Sequence, residues 1–428
     1  MKNCYFNGKI RKYGNIVSFL AIMASGCSSL PPLNKKINYS IAKEDPHLNI
    51  GVQVYDLSNK KMIINRHGKR LYTPASTIKL LTAMAALTQL GSDFKFTTQV
   101  YQDKKHDIYI RLNGDPELTS EHLYEITSKL NREYPRLHNI YFVHQNIQLP
   151  DLSPGLMLED IGYCYAAPVG SYILDRNCKS SVKQEHRDQP IIAIKDYMIQ
   201  TFQKINKKHF SKKYKHIKFK SLPVSSKLLF EFKSSTLYAL LYKAMKDSDN
   251  LIMDAIFLKL TEPARFLSAK DSWENRGQYL LGMLSQAYEV DLKTAVMVDG
   301  SGLSRYNLIQ AQQMTDLLVA IHKNNKAYFK FISLLPIAGL DGTLKNRKIG
   351  NINALMRAKT GSLNGTLNLV GYLENKEGKM FSFVIMMNQF SGENKRYINL
   401  QEKICSHLIT NLSKKAQNLL IHGGDVSP

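Results

Sequence analysis

The sequence predicts an α+β protein in which apolar helices accompany an antiparallel sheet. Three observations support this fold class. The chain opens with two strand-like runs joined by a short turn, its middle contains two apolar runs at helical spacing, and it closes on two further strand-like runs separated by a Glu-Gly turn. In chain order these segments are the hairpin 49–57 and 61–65, the helices 235–246 and 251–260, and the strands 366–372 and 380–387.

Length and charge narrow the classes of function. A chain of 428 residues is long enough for two or three domains with a large core. The net charge of +23 raises the question of nucleic acid, but no zinc-knuckle, RNP or helix-turn-helix signature accompanies it, so we do not expect nucleic-acid binding. The lysines concentrated at 204–220 are compatible with a solvated face and with contact to an anionic envelope polymer, and both remain open.

The first 27 residues are typical of an export signal. Basic residues precede a short apolar run at 16–24, and Ala24, Ser25 and Gly26 stand directly before Cys27. Ala-Ser-Gly-Cys resembles a bacterial lipobox, in which the cysteine is lipidated, although that motif usually has Leu where this chain has Ala. Lipidation of Cys27 and plain signal cleavage both remain open, and either one places the mature protein in the periplasm or cell envelope. A tether or a leading helix is expected at 28–48.

Three further cysteines bear on the compartment. Cys164 and Cys178 are close enough in sequence to form a disulfide in an oxidising periplasm, although pairing would leave Cys405 as an odd thiol. The sequence leaves open whether they pair. Their spacing resembles no set of zinc ligands, and we expect neither a metal nor another cofactor.

Ser76 is the strongest candidate for a nucleophile. It opens an apolar run bounded by Pro74 and Gly91, which predicts a largely buried helix, and Lys79 lies one turn further along the same face. A buried, neutral lysine beside a serine hydroxyl at a helix N-terminus is able to take the serine proton. The spacing alone is weak, because Ser-x-x-Lys also occurs at Ser40, Ser58, Ser92 and Ser180.

Two later tripeptides supply possible partners. Ser248 and Asn250 stand between the two apolar helices, where their hydroxyl and amide are expected to point into a cleft. The alternative is simple capping of the second helix by Ser248 or Asp249. Lys359, Thr360 and Gly361 form the only Lys-Thr-Gly of the chain, on a predicted edge strand. The glycine permits close approach of a substrate backbone, and the lysine is either a cation for a carboxylate or an ordinary surface residue.

In this order, Ser-x-x-Lys, Ser-x-Asn and Lys-Thr-Gly are the signatures of the penicillin-recognising serine enzymes. Four further segments resemble the D-alanyl-D-alanine carboxypeptidase/endopeptidase family, the class C low-molecular-mass penicillin-binding proteins. They are Asn-Gly-Asp-Pro-Glu-Leu at 113–118, Tyr-Cys-Tyr-Ala-Ala-Pro at 163–168, Asp-Gly-Ser-Gly-Leu-Ser-Arg-Tyr-Asn at 299–307 and Leu-Pro-Ile-Ala-Gly-Leu-Asp-Gly-Thr-Leu at 335–344.

The resemblance implies a β-lactamase/transpeptidase-like domain, an antiparallel sheet flanked by helices, with a second domain inserted between the first two motifs. We expect the catalytic domain at 49–112 and 224–410, the inserted domain at 113–223, and a tail at 411–428. The chain departs from the family in a shorter stretch between Ser76 and Ser248. It also has Leu156 and Leu158 where the family usually has aromatic residues.

The resemblance also implies a mechanism that needs no metal. Ser76 attacks a D-Ala-D-Ala or cross-link peptide bond of a peptidoglycan stem peptide, and Lys79 is the general base. Ser248, Asn250 and Lys359 complete the catalytic set, with β-lactams as covalent inhibitors. Thr360, Gly361, Ser362, Asp160 and Tyr165 are the expected substrate-binding residues. A serine β-lactamase and a catalytically silent envelope scaffold are the alternatives.

Overall fold

A computed structural model describes residues 32–134, 139–143, 149, 152–179, 189–191, 193–211, 213–266, 271–347, 356–375 and 377–421. The predicted signal peptide and Cys27 lie outside the described residues. Ten helices and fourteen strands occur in the described part of the chain. The helices are α1 Leu33–Glu44, α2 Lys79–Gln89, α3 Ser120–Glu133, α4 Ile194–His209, α5 Leu237–Asp247, α6 Asn250–Leu260, α7 Trp273–Tyr288, α8 Ala311–Lys323, α9 Asn325–Leu334 and α10 Asn394–Ile421. The strands are β1 Asn49–Asp56, β2 Lys61–Arg66, β3 Leu71–Tyr72, β4 Thr97–Gln102, β5 Ile108–Arg111, β6 Ile140–Val143, β7 Cys178–Lys179, β8 Gln189–Pro190, β9 Ile217–Lys220, β10 Lys227–Lys233, β11 Ile309–Gln310, β12 Met356–Leu363, β13 Thr366–Glu374 and β14 Met380–Asn388.

A five-stranded antiparallel sheet in the order β12-β13-β14-β1-β2 forms the centre of the molecule. Both of its faces are covered, because successive side chains of a strand point to opposite sides. On β13 and β14, Val370, Tyr372 and Val384 pack on the side of helices α2 and α5 to α9. Leu369 and Phe383 pack on the opposite side, against α1 and α10. The predicted antiparallel sheet flanked by helices is confirmed.

A second, mixed sheet has the order β10-β4-β5-β6-β9 and packs on α3 and α4. Its strands run from Thr97 to Lys233, so β4, β5 and β10 lie in ranges that the sequence analysis assigned to the catalytic domain. A division that followed the sheets would fall near residues 96 and 234, where the backbone of Phe96 accepts the N–H of Ser234 at 3.0 Å. The domain boundaries themselves remain a prediction.

The segment before the first strand is a helix and not a free tether. In α1, Ile37 and Ile41 are buried in the core formed with α10 and the central sheet. At the other end, α10 continues through the expected domain boundary at 410 as far as Ile421. Within the described ranges, no helix is long and apolar enough to span a membrane.

Candidate active site

Ser76 lies in a 3₁₀ turn, Ala75–Ile78, that leads directly into α2. The helix proper therefore begins at Lys79, three residues later than the sequence suggested. Ala75 has φ +47°, in a region that non-glycine residues rarely adopt. The amide and the hydroxyl of Thr77 both donate to the carbonyl of Pro74, at 3.2 and 2.7 Å. These bonds fix the turn, and in it the side chain of Ser76 stays partly exposed while its neighbours are buried.

The amine of Lys79 is surrounded by three oxygen atoms. Its Nζ lies 2.9 Å from Ser76 Oγ, 2.7 Å from Asn250 Oδ1 and 2.5 Å from the carbonyl oxygen of Ser301. The side chain is completely buried. A neutral amine has two hydrogens and one lone pair, so it is able to donate to Asn250 and Ser301 and to accept from the hydroxyl of Ser76. This arrangement suits a base directed at Ser76.

Burial lowers the pKa of Lys79 to about 8, although nearby carboxylates, led by Asp254, oppose this effect. Asp254 is itself buried, and burial together with the charge of Asp299 raises its pKa to about 8. Its carboxylate accepts the N–H of Gly300 at 2.8 Å and so holds the segment whose next carbonyl contacts Lys79. An amine with a pKa near 8 is partly neutral at physiological pH, as a general base must be.

The Ser-Asp-Asn turn joins α5 to α6. Ser248 ends α5 in a left-handed conformation with φ +60°, and Asp249 caps α6 by accepting a backbone N–H at 3.0 Å. Ser248 Oγ accepts from Lys359 at 2.8 Å, while Asn250 accepts from Lys79 at 2.7 Å. Both expectations therefore hold in part: Asp249 serves as the helix cap, and the residues on either side of it reach the two lysines.

Lys359 is not a surface lysine. Its side chain is completely buried in β12, and its amine donates to Ser248 Oγ at 2.8 Å and to the carbonyl of Thr360 at 2.9 Å. Burial, followed by repulsion from the charge of Lys79, places the pKa of Lys359 well below its ordinary value. Two buried amines and two partly exposed hydroxyls thus share one site, in which the charge of either lysine disfavours the charge of the other.

Gly361 is required by a contact within the chain itself. A Cβ at this position would lie 2.6 Å from the carbonyl oxygen of Pro74, so only glycine lets β12 pack against the turn that carries Ser76. The reason expected from the sequence, close approach of a substrate backbone, is a different one. Of the neighbouring side chains, Ser362 is exposed and Thr360 donates to the hydroxyl of Thr343 at 2.8 Å.

The outer edge of β12 is only half covered. The loop at 336–338 forms hydrogen bonds with Met356 and Ala358, at the beginning of the strand. From Lys359 onward, the described part of the chain places no strand on this edge. Unpaired N–H and C=O groups of an edge strand are available to an extended peptide.

Two asparagines that the sequence analysis missed hold the backbone that precedes the serine. Asn368 donates to the carbonyls of Thr73 and Pro74 at 2.9 and 2.8 Å, and Asn388 accepts the N–H of Thr73 at 2.6 Å. Both are buried in the central sheet. A signal was present in the sequence. Each asparagine interrupts or ends an otherwise apolar strand, as Asp254 interrupts an apolar helix. A polar side chain that is buried in this way is expected to form hydrogen bonds.

Tyr165 lies at the site, and Asp160 reaches the site through it. The carbonyl of Tyr165 accepts from Asn250 Nδ2 at 2.9 Å, and its hydroxyl donates to Asp160 Oδ1 at 2.9 Å. Tyr165, Asn250 and Asp254 also line a small cleft, together with Leu156. Leu158, the other residue at which the chain departs from the family, is 89% exposed. The roles of Asp160 and Tyr165 in substrate recognition remain a prediction.

The structure pairs Cys164 with Cys178, which the sequence had left open. Cys164 directly precedes Tyr165, so the disulfide ties the loop that contacts Asn250 to the segment that follows residue 177. Cys405 is a buried thiol in α10. The described residues contain no group of three or more side chains arranged to hold a metal ion.

Curated relatives resemble the chain over most of its length. D-alanyl-D-alanine carboxypeptidase DacB of Haemophilus influenzae is 25% identical over an aligned length of 420 residues. The alignment covers 80% of this chain and 86% of that protein. Carboxypeptidase DacB of Mycolicibacterium smegmatis is 26% identical over 343 residues, covering 74% of this chain and 71% of that protein.

Solved structures share the fold. The crystal structure of penicillin binding protein 4 from Haemophilus influenzae superposes with a TM-score of 0.76 at 23% identity, covering 88% of this chain and 99% of that chain. A predatory endopeptidase from Bdellovibrio bacteriovorus has a TM-score of 0.57 at 18% identity, with 86% and 94% covered. These structures confirm the transpeptidase-like architecture with its inserted domain.

The family model for the D-Ala-D-Ala carboxypeptidase 3 (S13) family matches residues 33–215 and 191–405. The two matched segments together span nearly all of the chain outside its termini, and the resemblance seen in the motifs is confirmed. The chain belongs to the D-Ala-D-Ala carboxypeptidase 3 (S13) family, the serine-type D-Ala-D-Ala carboxypeptidases.

Proposed function

We propose that Ser76 is the nucleophile with which this enzyme cleaves D-Ala-D-Ala or cross-link bonds of peptidoglycan stem peptides. The observation that carries the proposal is the buried Lys79 amine, 2.9 Å from Ser76 Oγ and held on its other sides by Asn250 and Ser301. Since those two acceptors take the two hydrogens of a neutral amine, its lone pair faces the serine hydroxyl. Lys79 takes the proton of Ser76 as Oγ attacks the scissile carbonyl carbon.

The tetrahedral intermediate then collapses with loss of the amine. The backbone N–H groups of Ser76 and Ser362 stabilise its oxyanion. Ser248, which is hydrogen-bonded to Lys359, gives its hydroxyl proton to the leaving nitrogen as the C–N bond breaks. The proton that Lys79 took from Ser76 replaces it, so Ser248 is a hydroxyl and Lys79 a neutral amine again. Water hydrolyses the resulting ester of Ser76 and releases the shortened peptide.

The substrate peptide is placed by the uncovered half of β12. An extended peptide that pairs with this edge brings its terminal carboxylate to Lys359 and Thr360, while Asn250 holds a substrate amide. A β-lactam carries a carboxylate in the matching place, so we propose that it acylates Ser76. The related penicillin binding protein 4 from Haemophilus influenzae has been crystallised in complex with a β-lactam, which supports this step.

Labelling with a fluorescent penicillin tests the proposal. We expect a lasting label on the wild-type protein and none on Ser76→Ala. Ser58→Ala, in an exposed Ser-x-x-Lys, is the matched control and should label as the wild type does. A label that persists in Ser76→Ala would refute the assignment. A rapidly lost label would identify a β-lactamase, and an unlabelled wild-type protein a silent scaffold.

We also propose that the enzyme works in the periplasm or cell envelope. The export signal at 1–27, the peptidoglycan substrate and a disulfide between Cys164 and Cys178 all support an oxidising compartment outside the cytoplasm. Whether Cys27 carries a lipid anchor is a separate prediction.

A further inference from the structure

The turn at 175–177 has an unusual backbone. Asp175, Arg176 and Asn177 have φ values of +49°, +60° and +50°, three consecutive non-glycine residues in the left-handed region. This conformation is unfavourable for any residue with a Cβ, and it persists only where the surroundings hold it in place. Such strain occurs preferentially at functional sites, so a turn of this kind is a candidate for a functional role.

The two outer residues of the turn anchor it in the inserted domain. The carboxylate of Asp175 accepts two hydrogen bonds, from the start of α3 and from a tyrosine of α4. The amide of Asn177 makes three, all with nearby backbone. The partners of Asp175 are Ser120 and Tyr197, each at 2.8 Å, and those of Asn177 are Pro168, Tyr172 and Leu174, at 2.9, 3.0 and 2.9 Å.

The central residue points to the catalytic domain. Arg176 Nη2 lies 2.6 Å from Asp249 Oδ2, and Asp249 is only 11% exposed. The other carboxylate oxygen of Asp249 caps α6 at 3.0 Å. Asp249 stands between Ser248 and Asn250, which contact Lys359 and Lys79 respectively.

A second contact reaches the same tripeptide from the same domain. Asn250 Nδ2 donates to the carbonyl of Tyr165, and the Cys164–Cys178 disulfide joins the Tyr165 loop to the end of the strained turn. The inserted domain therefore holds the Ser-Asp-Asn turn at two adjacent residues, and a covalent bond links the two holding segments.

We propose that Arg176 is a positioning residue, which acts through Asp249 to fix the Ser-Asp-Asn turn in the geometry needed for acylation. The inference rests on the proposed roles of Lys79 and Asn250. With Asp249 held, Asn250 keeps its oxygen on the Lys79 amine and Ser248 stays on Lys359. An ion pair that is partly exposed contributes little to global stability, so its effect appears in the reaction rate and much less in the melting temperature.

Five variants test the role of Arg176: Arg176→Ala, Arg176→Gly, Arg176→Lys, Asp249→Asn and the double variant Arg176→Ala/Asp249→Asn. The measurements are the second-order rate of acylation by a fluorescent penicillin and the melting temperature. We expect Ala and Gly at residue 176 to slow acylation equally, by about three- to tenfold. The Arg176→Gly variant should have a higher melting temperature than Arg176→Ala, because glycine adopts φ +60° without strain. Lys should restore part of the rate.

Asp249→Asn keeps the cap of α6, since asparagine is an equally good N-cap, but it removes the charge that Arg176 contacts. The charge of Asp249 also raises the pKa of Lys79, so the rates are compared on the alkaline plateau of the pH profile, where Lys79 is neutral in every variant. There we expect Asp249→Asn to slow acylation by the same factor, with no further loss in the double variant. Arg132→Ala removes an exposed ion pair with Glu133 elsewhere in the inserted domain and should leave the rate unchanged.

Three results would overturn the inference: an unchanged rate in Arg176→Ala, additive losses in the double variant, or a wild-type rate in Arg176→Gly. The last would show that backbone strain, and not the guanidinium, governs the rate. Failure of the proposed function is distinguishable from these, because it appears as persistent labelling of Ser76→Ala.

Discussion

Removing the amine of Lys359 tests how the two buried lysines divide their work. Lys359 donates to Ser248 Oγ at 2.8 Å and is completely buried, and repulsion between its charge and that of Lys79 adds to the effect of burial. Lys359→Ala therefore has two expected consequences. The cation for the carboxylate of the substrate is lost, and the pKa of Lys79 rises because one source of repulsion has gone.

The size of the effect follows from the protonation of Lys79. Burial lowers the pKa of Lys79 to about 8, so a minor part of the amine is neutral at pH 7, and any rise of that pKa reduces the neutral part further. Loss of one preorganised electrostatic group costs about two to three orders of magnitude where it acts fully in the transition state. Because Lys359 acts partly through its neighbours, we expect acylation at pH 7 to fall by about one to three orders of magnitude.

The assay is the rate of acylation by a fluorescent penicillin, measured against pH in the wild type and in Lys359→Ala. The acid limb of the profile should move to higher pH in the variant. Lys359→Met fills more of the space left by the lysine side chain than Ala does and carries no charge, so it controls for the loss of packing. Lys359→Arg keeps the charge in a shape that fits the buried site poorly, so we expect it to be impaired too. An unshifted acid limb, with weaker binding alone, would refute the electrostatic role and leave Lys359 only a clamp for the carboxylate.

Two further predictions concern other parts of the chain. Asp254→Asn keeps an acceptor for Gly300 but removes a group whose charge raises the pKa of Lys79, so the acid limb should move to lower pH, opposite to Lys359→Ala. Because the pKa of Asp254 is itself raised to about 8, only part of this carboxyl is ionised there and the shift should be small; a shift to higher pH would contradict this. Cys27→Ser should release the protein from membranes and remove a mass of diacylglycerol size if Cys27 is lipidated. A wild-type mature protein that begins elsewhere and carries no lipid by mass spectrometry would exclude the anchor.

The sequence by itself determined several elements of this protein and the family to which it belongs. Apolar alternation specified the hairpin β1–β2 and the strands β13 and β14, and helical spacing specified α5 and α6, because these patterns depend on neighbours within a few residues. The order of three short motifs was enough for the resemblance, since each requires particular side chains at fixed local spacing. Among five copies of Ser-x-x-Lys, the flanking apolar run singled out Ser76.

Only the tertiary structure decided which side chains meet. The amine of Lys79 contacts Asn250, 171 positions away, and Lys359 contacts Ser248, 111 positions away. Such pairings are set by how helices and sheet pack, and no local spacing encodes them. The same holds for the desolvation that lowers the pKa of Lys79 and for the reach of Arg176 to Asp249. Burial and long-range contact are properties of the folded chain. The sequence therefore identified most of the candidate catalytic side chains, and only their packing determines how far they are buried and which groups they contact.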